Sequence, residues 1–315
     1  MMQRAAVDIG TNSTRLLIAT VSAAGVIEAV RAEERITRLG EKSTAECGLQ
    51  LAAMERVLAA LAEYQEICTT YGIDQPIVFA TSATREARNG RELIERIAAR
   101  TGWKCRVISG EQEALLSFRG VVSDHTFQGK GLVCDIGGGS TEFIFTEGNS
   151  ISHRASLLLG SRRLTELYPA NAPATTETLQ RMQMHALRLY ESLPKFSAQS
   201  AVSVGGTATT LALMAQKLSL ARAEQAHGFQ LQRNDLHEWI DLLAALPIPA
   251  RKKIIGLHPD RADVILAGAI ILASILDYYH LSAVRISLRD LLYGVLLPDN
   301  GLERPPSRPF VAKGV

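Results

Sequence analysis

Residues 4–21 read RAAVDIGTNSTRLLIATV, and residues 131–160 read GLVCDIGGGSTEFIFTEGNSISHRASLLLG. In each segment an apolar run leads into an Asp-Ile-Gly turn and a second apolar run leaves it, a pattern that predicts a β-hairpin. A third strand follows in both copies and is expected to end in the Leu-Gly pairs at 39–40 and 159–160. A duplication at this distance favours two similar domains over a solenoid.

The remaining sequence alternates between strand and helix patterns. Apolar residues recur at helical spacing in some stretches, and short apolar runs between them read as buried strands. The predicted helices and strands are a helix at 50–71, a strand at 76–80, a helix at 91–100, a strand at 105–108, a helix at 175–192, a strand at 200–204, a loop at 205–207 and helices to residue 297. This order predicts an α/β fold.

A polar stretch at residues 123–130 breaks the periodicity and is the expected domain boundary. The sequence therefore predicts an N-terminal domain at 1–124 and a second domain with a helical end at 125–300. The proline-containing residues 301–315 are expected to form a loosely ordered tail.

Composition indicates a globular protein that acts inside the cell. Hydrophobic residues make up 47% and charged residues 21%, and the net charge is +2, far from the basic bias of nucleic-acid binders. The first residues lack the apolar core of a signal peptide, and the apolar stretch 264–276 is short for a membrane span. We expect a cytoplasmic protein with no membrane or nucleic-acid partner. The four cysteines lack metal-site spacing and are expected to be reduced.

Both Asp-Ile-Gly turns have the composition of phosphate-binding loops. Small polar residues leave a turn open, and its successive backbone N–H groups make an anion-binding concavity. The candidate phosphate ligands are Gly10, Thr11, Asn12 and Ser13 in the first turn and Gly137, Gly138, Gly139, Ser140 and Thr141 in the second. An ordinary polar hairpin turn is the alternative for the first, while three adjacent glycines favour binding in the second.

Two acidic residues flank the second turn. Asp135 and Glu142 stand on the two arms of the predicted hairpin, so their carboxylates are expected to share a Mg²⁺ ion. The alternative is that one of them only caps the turn.

Three further segments carry candidate site residues. Gly205, Gly206 and Thr207 precede a helical run and either form an anion site or cap the helix. Arg85 follows a buried strand and is either a phosphate ligand or a solvated side chain. Glu113 lies in the first turn of a helix that follows a strand, where it either complements the helix dipole or takes a proton from an attacking water.

Together these motifs resemble the exopolyphosphatase and guanosine pentaphosphate phosphohydrolase family of the actin-like, sugar-kinase-like superfamily. The matching segments, in order, are DIGTNSTRLL, ATSATREARNG, ISGEQEA, DIGGGSTE, SVGGTATTLA, HGFQL and HPDRADVILAGAIIL. The resemblance implies two ribonuclease-H-like domains flanking a cleft, with Mg²⁺ near the acids and Glu113 as the catalytic base. Gln112 and the Asp290-Leu291 pair depart from the usual family pattern. A homodimer is a further expectation from the family.

Four functions remain open from the sequence. Hydrolysis of the terminal phosphate of inorganic polyphosphate is the first, and hydrolysis of guanosine pentaphosphate (pppGpp) is the alternative with the same chemistry. A non-catalytic regulator that binds alarmones or phosphate chains is the third, and Glu113 weighs against it. A sugar or acetate kinase shares the glycine-rich loops, but ISGEQEA and ATSATREARNG argue against it.

Overall fold

The computed structural model describes residues 2–44, 46–170 and 173–298. The first half begins with a three-stranded meander and continues with alternating helices and strands. Its elements are β1 (Met2–Ile9), β2 (Thr14–Val21), β3 (Ile27–Arg35), α1 (Leu51–Thr70), β4 (Ile77–Ala80), α2 (Ser82–Glu86), α3 (Gly90–Thr101), β5 (Cys105–Val107) and α4 (Gly110–Val122). The predicted helix at 50–71 is confirmed to within a residue at each end, and the helix at 91–100 to within one residue.

The second half repeats this order with additional helices. Its elements are β6 (Lys130–Ile136), β7 (Thr141–Glu147), β8 (Ser150–Leu157), α5 (Ser161–Leu167), α6 (Thr176–Tyr190), β9 (Ser200–Val204), α7 (Gly205–Gln216), β10 (Gln230–Gln232), α8 (Arg233–Ala245), α9 (Ile248–Arg251), α10 (Ile265–Tyr278), β11 (Ala283–Ile286) and α11 (Leu291–Leu296). The expected tail at 301–315 lies outside the described residues. Among the described helices, none combines the length and the apolar character that a membrane span requires.

The two sheets share one topology. The first has the strand order β3-β2-β1-β4-β5 and the second β10-β11-β9-β6-β7-β8, so β6, β7, β8, β9 and β11 correspond to β1 to β5. In both sheets the meander is antiparallel, and two later strands add in parallel on the side of its first strand. The second sheet has one more strand, β10, which pairs antiparallel with β11 at the edge. Since both hairpins turn at equivalent places, the duplicated loops lie at equivalent edges of the two sheets.

The last helix of each half packs on the opposite half. Phe118 and Val121 of α4 lie against Val133 and Val202 of the second sheet. In return, Leu292 and other apolar residues of α11 pack on the first sheet with Leu17 and Phe79. The segment at 291–296, which the sequence placed within the second domain, therefore completes the core of the first.

Four segments differ from the prediction. The third strand of the second copy, β8, ends at Leu157 and not at residue 160, and the stretch predicted as helices to residue 297 also contains the strands β10 and β11. The strand β3 ends at Arg35 and not at residue 40, because Thr14, its last partner, is the first residue of β2. Beyond that point the backbone bonds to the first loop instead, and the N–H groups of Arg38 and Gly40 donate to the carbonyls of Asn12 and Thr11. The predicted loop at 205–207 is the first turn of α7, since Gly205 with a φ of 87° turns the chain from β9 directly into the helix.

Candidate active site

The two duplicated loops have the same internal geometry. The N–H of Gly10 donates to the carbonyl of Ser13 at 2.9 Å, and the N–H of Gly137 donates to the carbonyl of Ser140 at 3.0 Å. Each loop therefore closes a tight turn between the first two strands of its meander. Such turns direct small side chains and backbone N–H groups outward from the sheet edge.

The loops also touch each other. A Cβ placed on Gly138 would lie 3.0 Å from the Cβ of Asn12, and one on Gly139 would lie 2.6 Å from the Oγ1 of Thr11. Both distances are shorter than ordinary carbon contacts. These glycines thus also allow the loops of the two halves to meet, and the phosphate-binding role that the sequence predicts for them stays a prediction.

The repeat places an acid on each sheet but gives it different cross-strand partners. Asp8, the second-last residue of β1, lies opposite Arg15, whereas Asp135, the second-last residue of β6, lies opposite Glu142. Arg15 Nη2 lies 2.7 Å from Asp8 Oδ2, and the same guanidinium pairs with Asp290 at the start of α11. The first copy is therefore held by an ion pair, whereas the second presents two carboxylates side by side.

Burial governs the protonation of these acids. It raises the pKa of Asp135 to about 6, an effect that the nearby Asp290 carboxylate increases and a hydrogen bond from Ser117 opposes. Burial and the Asp135 carboxylate together raise the pKa of Glu142 to about 8. Ser156 Oγ donates to Glu142 Oε1 at 2.7 Å. A charged form of either acid thus needs hydrogen-bond donors or a cation for its stabilisation.

The N-terminus of α4 carries Glu113 into the cleft. The capping box that Ser109 and Gln112 form starts this helix, so the unusual Gln112 has a structural role. Glu113 is only 7% exposed, and burial and Glu142 raise the pKa of its carboxyl well above the usual range. Arg85 Nη1 donates to Glu113 Oε2 at 3.1 Å and opposes that rise.

A cleft between the two halves brings most predicted site residues together. Its lining includes both acids Asp8 and Asp135, Glu113, and residues of all three glycine-containing segments. The lining residues predicted from the sequence are Gly10, Thr11, Asn12, Ser13, Glu113, Asp135, Gly137, Gly138, Gly139, Ser140, Gly205, Gly206 and Thr207.

Three predicted residues do not line the cleft. Arg85 lies behind Glu113 and also donates to the carbonyl of Ile108. Glu142 is 1% exposed and lies beside Asp135. Thr141 Oγ1 donates to the carbonyl of Leu159 and so serves the junction after β8. Their predicted roles in phosphate and metal binding stay predictions.

The sequence did not single out the arginines of the cleft. Arg15 and Arg261 both line it, and Arg261 Nη2 donates to Ser13 Oγ at 3.0 Å and pairs with Glu34. Both residues stand in motifs that the sequence displays, DIGTNSTRLL and HPDRADVILAGAIIL. For Arg15, an arginine that leads into an apolar run was the available signal, because such residues are seldom buried without a partner. Arg261 stands between Asp260 and Asp263 and carries no such signal.

A second groove, with a volume of about 390 Å³, adjoins the cleft. The two share Arg15, Glu34 and Arg261, and the groove is otherwise lined by side chains such as Leu213 and Tyr293. Apolar groups thus dominate the wall next to the charged end of the cleft.

The donor set around the acids fits a hard cation. Mg²⁺ is commonly held by one or two carboxylates together with water and substrate phosphates, and it prefers oxygen ligands. Asp8 Oδ1 is buried and has no hydrogen-bond partner among the described residues, and Asp135 lines the same cleft. No preformed cluster of three or more acidic, histidine or cysteine ligands occurs within the described ranges. A Mg²⁺ ion here would therefore need phosphate or water ligands as well.

The fold and the cleft define a two-domain phosphatase of the actin-like type, in which duplicated hairpin loops face one another across the site. The family model of the Ppx/GppA phosphatase family matches residues 17–301, and the chain belongs to this family.

Individual proteins agree with this assignment. The chain is 33% identical to exopolyphosphatase 2 of Mycobacterium tuberculosis over 93% of its own length and 97% of the relative's. It is 34% identical to the bifunctional 3-dehydroquinate synthase/phosphatase of Fusobacterium nucleatum, of which it spans 46%. The crystal structure of an exopolyphosphatase from Cytophaga hutchinsonii superposes with a TM-score of 0.85 at 25% identity, covering 94% of this chain and 96% of the other.

Proposed function

We propose that the protein removes the terminal phosphate of inorganic polyphosphate by attack of water, with Glu113 as the general base. The observation that carries this proposal is the position of Glu113, whose buried carboxyl lines the same cleft as both phosphate-type loops. A water between the loops and this carboxyl would stand where a terminal phosphoryl group is attacked. The family relationship to an exopolyphosphatase supports the substrate class.

In the proposed hydrolysis, different residues bind the phosphate and accept the proton. The loops at 10–13 and 137–140 bind the terminal phosphate through N–H groups and hydroxyls, and Arg261 offsets its charge. Glu113 accepts a proton from a water molecule while the oxygen of that water bonds to the terminal phosphorus. The bond from phosphorus to the bridging oxygen breaks, and that oxygen leaves with the shortened chain. Arg85 favours the ionised form of Glu113 that the reaction needs.

Asp135 and Asp8 are the cleft residues that would hold Mg²⁺, and Glu142 beside Asp135 is a further predicted ligand. When bound, the ion would offset negative charge on the phosphate oxygens. Two observations support this assignment. Asp8 Oδ1 has no hydrogen-bond partner among the described residues, and burial raises the pKa of Asp135, so a bound cation would stabilise the charged form of both carboxyls.

Hydrolysis of guanosine pentaphosphate is the second candidate. Inorganic polyphosphate has no apolar part, whereas a nucleoside presents a flat, largely apolar face. The groove that continues from the cleft past Arg15 to Leu213 and Tyr293 offers such a face a matching surface. A non-catalytic regulator would use the same surfaces without turnover.

The test is phosphate release by the purified protein with Mg²⁺ on short polyphosphate, long polyphosphate and guanosine pentaphosphate. We expect release from polyphosphate, and a roughly 10²–10⁴-fold loss in Glu113→Gln. Loss of less than about threefold would remove Glu113 from the base role. Preference for the nucleotide would select the second candidate, and tight binding with no release would select the regulator.

A further inference from the structure

Asn12 in the first loop has an unusual environment. Its side chain belongs to the first half, lines the cleft and is 4% exposed. Arg162, in α5 of the second half, donates from Nε to Asn12 Oδ1 at 2.9 Å. The two residues are 150 positions apart, so this contact exists only when the halves are docked.

The contact fixes the orientation of the Asn12 amide. A guanidinium group only donates hydrogen bonds, so its partner must be the carbonyl oxygen of the amide. Nδ2 and its two hydrogens then face away from Arg162. That nitrogen is buried and has no hydrogen-bond partner among the described residues. Leaving a buried donor without a partner costs about 1–3 kcal/mol, which a bound acceptor would recover.

Both the guanidinium and the backbone of Arg162 are held by hydrogen bonds. Its Nη2 donates to Asp263 Oδ2 at 3.0 Å, and its own backbone N–H donates to the carbonyl of Gly138 in the second loop. The guanidinium is 5% exposed, so little water competes for these contacts. Arg162 thus connects Asn12 of one loop to the backbone of the other.

We propose that Arg162 is a positioning residue that holds the Asn12 amide so that Nδ2 donates to a phosphate oxygen of the substrate. The proposal rests on the proposed phosphate-chain substrate. Arg162 acts through Asn12, across the contact between the two halves.

The test is a double-mutant cycle on Asn12→Ala and Arg162→Met. Both changes are made in the Glu113→Gln protein, so that tripolyphosphate is bound and not consumed. Its affinity is measured by calorimetry. A hydrogen bond to a charged group is worth about 1.5–3 kcal/mol, so Asn12→Ala should weaken binding roughly tenfold or more. In the Arg162→Met background, the same change should weaken binding less than about twofold.

A matched control separates the role of Arg162 from loss of one positive charge. Arg188 is an exposed arginine on α6, and Arg188→Met should leave the affinity for tripolyphosphate unchanged. If Arg162→Met fails to fold, Asp263→Ala keeps both Arg162 and Asn12 and removes the anchor of Arg162, together with a longer 3.9 Å contact to Arg38. Its effect should likewise shrink when Asn12 is alanine.

The outcomes distinguish the two proposals. If the affinity losses multiply, the positioning role is wrong while the phosphate site stands. If the Glu113→Gln protein binds no tripolyphosphate, the proposed function and the positioning role both fail. A smaller effect of Asn12→Ala in the Arg162→Met background, with an unchanged melting temperature, supports the positioning role, since a merely structural defect would lower affinity and melting temperature together.

Discussion

Ser117 Oγ donates a hydrogen bond of 2.6 Å to Asp135 Oδ2, and both side chains are buried. Ser117 lies four residues after Glu113, so the two side chains share one face of α4. The helix that presents the proposed base therefore also orients the proposed metal ligand on β6. Movement of α4 would alter both groups together.

Ser117→Ala should weaken Mg²⁺ binding. The change removes a donor that favours the ionised form of Asp135, and a hydrogen bond to a charged group is worth about 1.5–3 kcal/mol. We expect the affinity for Mg²⁺, measured by calorimetry, to fall roughly tenfold. The control is Ser123→Ala, since the Ser123 hydroxyl at the end of the same helix bonds only to the Gly120 carbonyl among the described contacts. Equal affinities for both variants would contradict the assignment.

Asp135→Asn should stabilise the metal-free protein at pH 8. The pKa of Asp135 rises from 3.8 to about 6 on folding, so the folded state binds more protons and stability declines with rising pH across that window. Above pH 6 the unfavourable ionisation amounts to about 3 kcal/mol, which the amide avoids. Thermal melts should show a higher Tm for the variant, with a difference that shrinks as pH falls toward 3.8. A lower Tm at pH 8 would indicate that the carboxylate is satisfied without metal.

Arg85→Met should move the acid side of the pH–rate profile to higher pH. The base must be ionised, and burial already raises the pKa of Glu113, so activity should increase with pH above the range of an ordinary carboxyl. Arg85 Nη1 lies 3.1 Å from Glu113 Oε2, and its positive charge lowers the pKa of Glu113. Without the guanidinium, that pKa should rise further. The profile of kcat/KM against pH is compared with that of Arg88→Met, an exposed arginine three residues along the chain. Coincident profiles would show that Arg85 does not act on Glu113.

Gly205→Ala should impair the site more than an equivalent change elsewhere. Gly205 has a φ of 87°, and a Cβ there would lie 2.6 Å from Asp135 Oδ1. Gly72 has a φ of 68° and open space around it, so Gly72→Ala carries a similar backbone strain of about 1 kcal/mol without the contact. We expect both variants to lose some thermal stability, but only Gly205→Ala to need more Mg²⁺ for half-maximal phosphate release. A similar Mg²⁺ requirement in both would argue against a metal role for Asp135.

The duplicated meanders and the long helices were predictable because their signals are local. Apolar periodicity and turn residues act over a few positions, so the hairpins around Gly10 and Gly137 and the helix at Leu51–Thr70 follow from the order of residues alone. The end of β3 could not be predicted in this way, because it depends on where β2 begins and on backbone hydrogen bonds to Thr11 and Asn12. Strand ends are set by partners that the strand itself does not contain.

The sequence by itself determined the family, the two loops and the acids that accompany them, since each is a contiguous motif with its own chemistry. Only the tertiary structure decided how these parts meet. It paired Arg15 with Asp290, Arg162 with Asn12 and Arg261 with Ser13, contacts that join positions 150 or more residues apart. The physical reason is that a buried arginine takes its partner from whichever element docks against it, and that docking depends on the packing of both halves at once.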